Sequence, residues 1–211
     1  MDTFADRLQR AIAKTGTVAL VGLDPRTSNL PDACRPASDS VEDVANAYVN
    51  FCNGVIDVVA GLVPAVKPQA AFFERLGPSG MVALQQVVSY ARAKDLLVVL
   101  DAKRGDIGST AEAYAEAYLG EGSAYGAHSL TVNPYLGDDS LTPFVDRARG
   151  SGAHVFVLVK TSNPGGKLFQ DVDTTEGLLF ERVADMVESM AAETASKSGY
   201  YDLNYTFVVN A

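Results

Sequence analysis

Residues 96–103 read Leu96-Leu97-Val98-Val99-Leu100-Asp101-Ala102-Lys103, an apolar run that leads directly into charged residues. The apolar part is continuous rather than alternating, which is typical of a strand buried on both faces of a parallel sheet. Similar short runs occur at 18–23, 62–66, 129–132 and 155–159. Longer helical patterns separate the runs, at about 41–60, 79–94, 109–119 and 138–149. This alternation of strands and helices predicts an α/β fold.

Each of the five apolar runs is followed by polar or charged residues. These are Asp24-Pro25-Arg26, Lys67-Pro68-Gln69, Asp101-Ala102-Lys103, Asn133-Pro134-Tyr135 and Lys160-Thr161-Ser162. A (β/α)₈ barrel has its active site at the carboxyl ends of the strands, whereas an open doubly wound sheet usually binds ligands at one crevice. The five polar ends therefore favour a (β/α)₈ TIM barrel, formed as a single domain by residues 1–211.

The spacing of these strand ends conflicts with a complete barrel. Between Asp24 and Thr161 the ends recur about every 34 residues, so eight repeats would finish near residue 262 by this rough count. The sequence has 211 residues, and only one strand-like stretch, 205–209, follows a helical pattern at about 175–197. Either the barrel is incomplete or the sequence lacks residues of the whole protein. We expect two or three of the last strands and their loops to be missing, which leaves the C-terminal part of the domain incomplete.

Composition restricts the partners and the compartment. The formal net charge is −9, and an acidic surface repels phosphate backbones, so we expect no nucleic-acid partner. No apolar run reaches the ~18 residues of a membrane span, and the N-terminus shows no signal pattern, so we expect no membrane contact. The two cysteines, Cys34 and Cys52, form no CxxC motif, and with two histidines they cannot build a Cys/His zinc site. We expect a reduced, cytoplasmic protein.

Four charged residues of alternating sign lie at neighbouring strand ends, namely Lys67, Asp101, Lys103 and Asp106. Asp101 and Lys103 are two positions apart on a strand, so both side chains point to one face, here the barrel interior. Buried charges must be paired, and the chain supplies two of each sign. The cluster is either a structural ion-pair network or a functional site. Coupled titratable groups at strand ends favour the functional site.

The same cluster carries a resemblance to a known family. Asp101-x-Lys103-x-x-Asp106-Ile107-Gly108 resembles the catalytic signature of the orotidine 5′-phosphate decarboxylases. Four more blocks look like the bacterial type 2 subfamily: Val21-Gly22-Leu23-Asp24-Pro25, Ala65-Val66-Lys67-Pro68-Gln69-Ala70, Leu130-Thr131-Val132-Asn133-Pro134-Tyr135 and Val159-Lys160-Thr161-Ser162-Asn163-Pro164. The resemblance implies conversion of orotidine 5′-phosphate to uridine 5′-phosphate (UMP) and CO₂, the last step of de novo pyrimidine biosynthesis. It also implies that the reaction needs no metal and no cofactor.

The resemblance implies catalytic roles for the charged cluster. Loss of CO₂ leaves a carbanion at C6 of the pyrimidine that no ring position delocalises, so a preorganised cation is required. Lys103 fits this cation, because its ammonium can stabilise the carbanion and then donate the proton. By resemblance, Asp101 crowds the substrate carboxylate and Lys67 holds the network. Asp106 resembles a residue contributed to the partner subunit's site, which implies a homodimer.

Substrate-binding roles also come from the resemblance, for Asp24, Thr110, Ser162 and Asn133. Asp24 resembles the ligand of the ribose hydroxyls. Thr110 would reach the ribose across the dimer interface, or would instead cap the following helix. Ser162 would read the pyrimidine edge, or would be only a polar residue of a turn. Asn133 would bind substrate, or would only fix the turn before Pro134.

The end of the sequence departs from the family pattern. The family holds the substrate phosphate with an arginine just past the final strand, and no such arginine stands near the end of this sequence. Phe207-Val208-Val209-Asn210-Ala211 resembles only the start of that final strand. The two histidines, His128 and His154, stand at the beginnings of strands, so we expect neither to be catalytic.

Two other functions stay open. A magnesium-dependent sugar-phosphate aldolase or decarboxylase of the same superfamily also uses the DxKxxD pattern, but with carboxylates free to bind the metal. The blocks at 67–70 and 161–164 argue against it. A non-catalytic nucleotide-binding derivative would keep the fold and lose turnover, and the intact charge cluster argues against this alternative.

Overall fold

The computed structural model describes residues 2–192 and the backbone of residues 205–208. The strands in these residues are β1 Leu20–Leu23, β2 Ala65–Pro68, β3 Leu97–Arg104, β4 Ser129–Val132, β5 His154–Leu158, β6 Asp173–Thr174, β7 Gly177–Leu178 and β8 Tyr205–Val208. The α-helices are α1 Phe4–Thr15, α2 Val41–Val59, α3 Ala70–Glu74, α4 Gly77–Ala93, α5 Gly108–Tyr118, α6 Asp138–Ser151, α7 Lys167–Gln170 and α8 Leu179–Ala192.

Six of the strands form one sheet in the order β1-β2-β3-β4-β5-β8. Every neighbouring pair in it is parallel, so all six carboxyl ends lie at the same edge. The helices cover the sheet, and α2 packs on α4 while α5 packs on α6. The α/β prediction is therefore confirmed. β6 and β7 form a separate antiparallel pair before α8.

The first two strands depart from the predicted boundaries. β1 was predicted to be buried on both faces from residue 18, but it begins at Leu20, which is 40% exposed. Among the described strands β1 pairs with β2 alone, so one of its edges has no covering neighbour. β2 begins at Ala65 rather than at residue 62. Gly61 takes a φ of +79° and places the exposed Leu62 in the turn after α2.

Helix α1 has no counterpart among the predicted helices, and it closes the amino-terminal end of the sheet. Thr3 and Asp6 form a capping box at its start. Phe4 stacks on the ring of His154 at a centroid distance of 4.9 Å. Burial lowers the pKa of His154 to about 3, so this ring is neutral and part of the core.

His128 is also structural. Its Nδ1 accepts a hydrogen bond from the backbone N–H of Val98 at 3.0 Å. Burial and the nearby charges of Arg7 and Arg92 lower the pKa of His128 to about 4. Both histidines therefore lie as expected, at the strand beginnings and away from the polar edge.

The last predicted elements are only partly within the described residues. The helix predicted at about 175–197 is α8, which begins later because the β6–β7 hairpin takes up residues 173–178. The strand-like stretch is β8, hydrogen-bonded to β5. Residues 193–197 and 209–211 lie outside the described residues. No helix in the described part is long and apolar enough to cross a membrane.

Candidate active site

Three of the four predicted charges meet at the carboxyl ends of β2 and β3. Lys67 Nζ donates a hydrogen bond to Asp101 Oδ2 at 2.7 Å, and Lys103 Nζ donates one to Asp101 Oδ1 at 2.6 Å. The Asp101 side chain is 3% exposed, while those of Lys67 and Lys103 are 32% and 33% exposed. The carboxylate is therefore enclosed, and the two ammonium groups stand between it and solvent.

Asp101 is ionised in this arrangement. Burial alone would raise the pKa of Asp101, but the hydrogen bonds and charges of Lys103 and Lys67 outweigh it and lower the pKa below its ordinary value. Two cations around one carboxylate leave a local charge of +1 at the polar edge of the sheet. Such a centre can stabilise negative charge that develops on a bound molecule.

β3 is irregular where it carries these residues. Leu100 lies opposite Leu130 and Arg104 lies opposite Val132, which leaves residues 101–103 facing Thr131 alone. Lys103 has a φ of +50°, in the left-handed region that non-glycine residues rarely adopt. The side chains of Asp101 and Lys103 do meet, but the prediction that they lie on one face of a regular strand is wrong. They meet across a bulge that re-aims the lysine, not along one face of a regular strand.

Arg104 anchors the far side of this bulge. Its guanidinium pairs with Glu74 at the end of α3. Its Nη2 also donates a hydrogen bond to the hydroxyl of Tyr118, the last residue of α5, at 3.1 Å. The backbone N–H of Asn133 donates to the Arg104 carbonyl at 2.7 Å, so the ladder to β4 resumes at this point. The bulge is thus held between two helices and the neighbouring strand.

Asp106 and Thr110 lie farther along the chain, after the end of β3. Asp106 is half-buried and its Oδ1 accepts from the N–H of Ile107 at 2.8 Å. No salt bridge joins it to Lys67 or Lys103 among the described residues. Thr110 is exposed in the first turn of α5, whose N-cap position is Ile107. The capping alternative for Thr110 is therefore wrong, because the residue lies inside the helix.

The remaining predicted residues also lie at the polar edge. Asp24 is exposed and follows the last residue of β1. Asn133 Oδ1 accepts from the N–H of Tyr135 at 3.0 Å, so its side chain does fix the turn after β4. Ser162 is exposed in the segment between β5 and the short 3₁₀ helix Pro164–Gly166.

Comparison with known proteins identifies the family. The model of the orotidine 5′-phosphate decarboxylase / HUMPS family matches residues 20–199. The chain belongs to this family. An orotidine 5′-phosphate decarboxylase from Rhodopirellula baltica is 51% identical over 209 residues, which are 95% of this chain and 68% of that protein. One from Streptomyces coelicolor is 43% identical over 197 residues, 93% of this chain and 68% of that protein.

Solved structures of the family have the same fold. A crystal structure from Streptomyces avermitilis, assigned to the same decarboxylase activity, superimposes with a TM-score of 0.84 at 42% identity. The superposition covers 99% of this chain and 70% of that one. These family members are TIM barrels, so the predicted fold class is confirmed. The six parallel strands in chain order are the arrangement that such a barrel requires.

One residue of the site was not predicted from the sequence. Thr131, which faces the bulge, was not predicted, although a hydroxyl between the apolar residues Leu130 and Val132 of β4 is a local signal for it. The described residues contain no cluster of three or more His, Cys, Asp or Glu side chains arranged to hold a metal ion. Both oxygens of Asp101 are already occupied by lysine ammonium groups.

Proposed function

We propose that this protein decarboxylates orotidine 5′-phosphate to UMP and CO₂, in the last step of pyrimidine biosynthesis. The observation that carries the proposal is the Lys67–Asp101–Lys103 array, in which a buried carboxylate holds an ammonium group at a fixed place. The array lies at the carboxyl ends of barrel strands, where the active sites of this fold are found. Membership of the orotidine 5′-phosphate decarboxylase / HUMPS family supports the same activity.

Lys103 supplies the cation and the proton in the proposed reaction. The bond between C6 and the substrate carboxylate breaks, CO₂ leaves, and the bonding electron pair stays on C6. The Lys103 ammonium stabilises this carbanion and then transfers one proton to C6, which gives UMP. The neutral amine regains a proton from solvent, which its partly exposed side chain can reach. Lys67 stays charged throughout, so Asp101 is never left without a cation.

Asp101 is proposed to orient Lys103 and to lie against the substrate carboxylate. Its ionised carboxylate accepts hydrogen bonds from both ammonium groups and has no donor of its own, so it can only repel an approaching carboxylate. The repulsion between the two carboxylates ends when CO₂ departs, which lowers the barrier relative to the bound substrate.

The proposed reaction uses no metal or cofactor, and this feature is testable. With purified protein and excess EDTA, the absorbance of orotidine 5′-phosphate is expected to fall at the same rate as without EDTA. The magnesium-dependent alternative needs a free carboxylate, and the occupied oxygens of Asp101 disfavour it. No turnover of orotidine 5′-phosphate, together with turnover of a sugar phosphate that needs Mg²⁺ and stops in EDTA, would establish that alternative. UMP binding without any turnover would establish the non-catalytic one.

The substrate-binding roles of the polar edge form part of the proposal. Asp24, exposed at the end of β1, accepts hydrogen bonds from the ribose hydroxyls. Ser162, exposed after β5, reads the edge of the pyrimidine. Asn133 contributes through the turn that its side chain fixes. A reduced, cytoplasmic setting is proposed because Cys34 and Cys52 are both free thiols.

The active form is proposed to be a homodimer in which Asp106 and Thr110 reach the partner's site. Apolar side chains are exposed close to these residues and at the same edge of the sheet. Ile107 follows Asp106 directly, and Tyr135, which is 77% exposed, packs edge-to-face on the exposed ring of Phe169 at 6.4 Å. Exposed apolar residues grouped on one face support an interface with a second copy.

Mixed dimers test this arrangement. Lys103→Ala and Asp106→Ala are each expected to be inactive alone, because each removes a group from every site. When the two variants are unfolded and refolded together, half of the dimers carry one complete site, so about a quarter of wild-type activity is expected. Refolding each variant alone is the control. If the mixture stays as inactive as its components, Asp106 does not act across the interface.

A further inference from the structure

The hydroxyl of Thr131 makes three hydrogen bonds beneath the proposed site. Its Oγ1 accepts from the backbone N–H groups of Ala102 and Lys103, both at 2.9 Å. It also donates to Asp101 Oδ1 at 3.0 Å. A hydroxyl has one proton and two lone pairs, so these three bonds use its whole capacity and fix the direction of its proton. The residue is buried, so water has no direct access to replace it.

These bonds take the place of a backbone ladder. Residues 101–103 face one residue of β4, so the N–H groups in the bulge cannot all find carbonyl partners on that strand. Buried N–H groups without partners are costly, and here the Thr131 side chain serves two of them. The same oxygen atom therefore contacts the backbone that sets the φ of Lys103 and the carboxylate that holds its ammonium.

We propose that Thr131 is a positioning residue that keeps Asp101 and Lys103 aligned by holding the β3 bulge in shape. The kinetic part of this inference rests on the decarboxylase function proposed above. Without the hydroxyl, the two N–H groups lose their acceptor and the bulge relaxes, which moves the Lys103 ammonium away from the reacting carbon. Asp101 also loses one of its donors, so its charge is held by the two lysines alone.

Thr131→Val and Thr131→Ser separate the hydroxyl from the shape of the side chain. Valine matches threonine in size but lacks the hydroxyl, and kcat is expected to fall about 10- to 100-fold with KM nearly unchanged. Serine keeps the hydroxyl, and kcat is expected to stay within about threefold of wild type. The acid limb of the kcat/KM profile is expected to move to higher pH in Thr131→Val alone, because a carboxylate with fewer donors protonates more easily.

Ser129→Ala is the matched control on the same strand. Ser129 is buried, and its hydroxyl has no hydrogen-bond partner among the described residues, so its removal is expected to leave kcat and the pH profile unchanged.

Wild-type kcat and an unshifted acid limb in folded Thr131→Val would overturn the proposal. Thr131→Ala replaces the valine variant if the latter does not fold. If wild type itself shows no turnover, the decarboxylase function fails, but ¹³C NMR titration of Asp101 still tests the role of Thr131. The pKa of Asp101 is expected to be higher in Thr131→Val than in wild type. An unchanged pKa would overturn the role.

Discussion

Replacing Lys103 with Met is expected to abolish decarboxylation, with kcat reduced at least roughly 10⁴-fold. The substitution removes the preorganised cation, worth about 10²–10³ in rate, and the general acid, worth about 10²–10⁴. Methionine keeps much of the length of the lysine side chain, and Asp101 keeps its hydrogen bonds to Lys67 and Thr131. The fold is therefore expected to survive. The loss of orotidine 5′-phosphate absorbance under saturating substrate measures the change.

Lys94→Met is the matched control for this variant. Lys94 pairs with Asp57 at 2.6 Å on the surface, at the opposite end of α4 from the charged cluster, so its loss is expected to leave kcat unchanged. Circular dichroism of both variants shows whether they are folded. More than about a hundredth of wild-type turnover in Lys103→Met would show that another group supplies the cation or the proton.

The fold class could be predicted because its signals are local. The five apolar runs and the polar residues after them mark strands and strand ends without any knowledge of the neighbouring chain. The ends of strands and helices that depend on packing with distant residues were not predicted correctly. Leu62 belongs to an apolar run but lies in a turn, and α1 is fixed by the stacking of Phe4 on His154, a contact across 150 positions of the chain.

The three charged residues that meet in the site could be predicted from the sequence, but the backbone bulge that positions two of them could not. Lys67, Asp101 and Lys103 come together because neighbouring parallel strands end at one edge, which the strand pattern already indicates. The bulge in β3 depends on its pairing with β4, so no pattern within residues 96–106 reveals it. The part played by Thr131 follows from that pairing and was missed for the same reason.

Asp101→Asn is expected to lower both the catalytic activity and the free energy of unfolding. The amide keeps the shape of the side chain but leaves two ammonium groups directed at a neutral residue, so kcat is expected to fall at least roughly 10³-fold because Lys103 loses its orientation. Breaking a buried ion pair costs about 3–5 kcal/mol, and since both lysines are partly exposed, we expect about 2–4 kcal/mol here. Chemical unfolding at pH 7 measures the free energy of unfolding.

The pH dependence distinguishes a charge effect from a packing effect. The pKa of Asp101 is lower in the folded protein than in the unfolded chain, where it is about 3.9. The stability that the Asp101 carboxylate contributes is therefore fully present above the unfolded pKa. It is lost as the pH falls through the lower folded pKa. The difference in stability between wild type and Asp101→Asn is therefore expected to narrow when unfolding is measured again below about pH 3. Asp57→Asn is the control, because Asp57 is an exposed partner of a surface lysine, and it is expected to leave kcat unchanged and the fold intact at pH 7. A difference for Asp101→Asn that stays constant from pH 7 to below pH 3 would mean that the asparagine disturbs packing, and that the two lysines do not depend on the charge of Asp101.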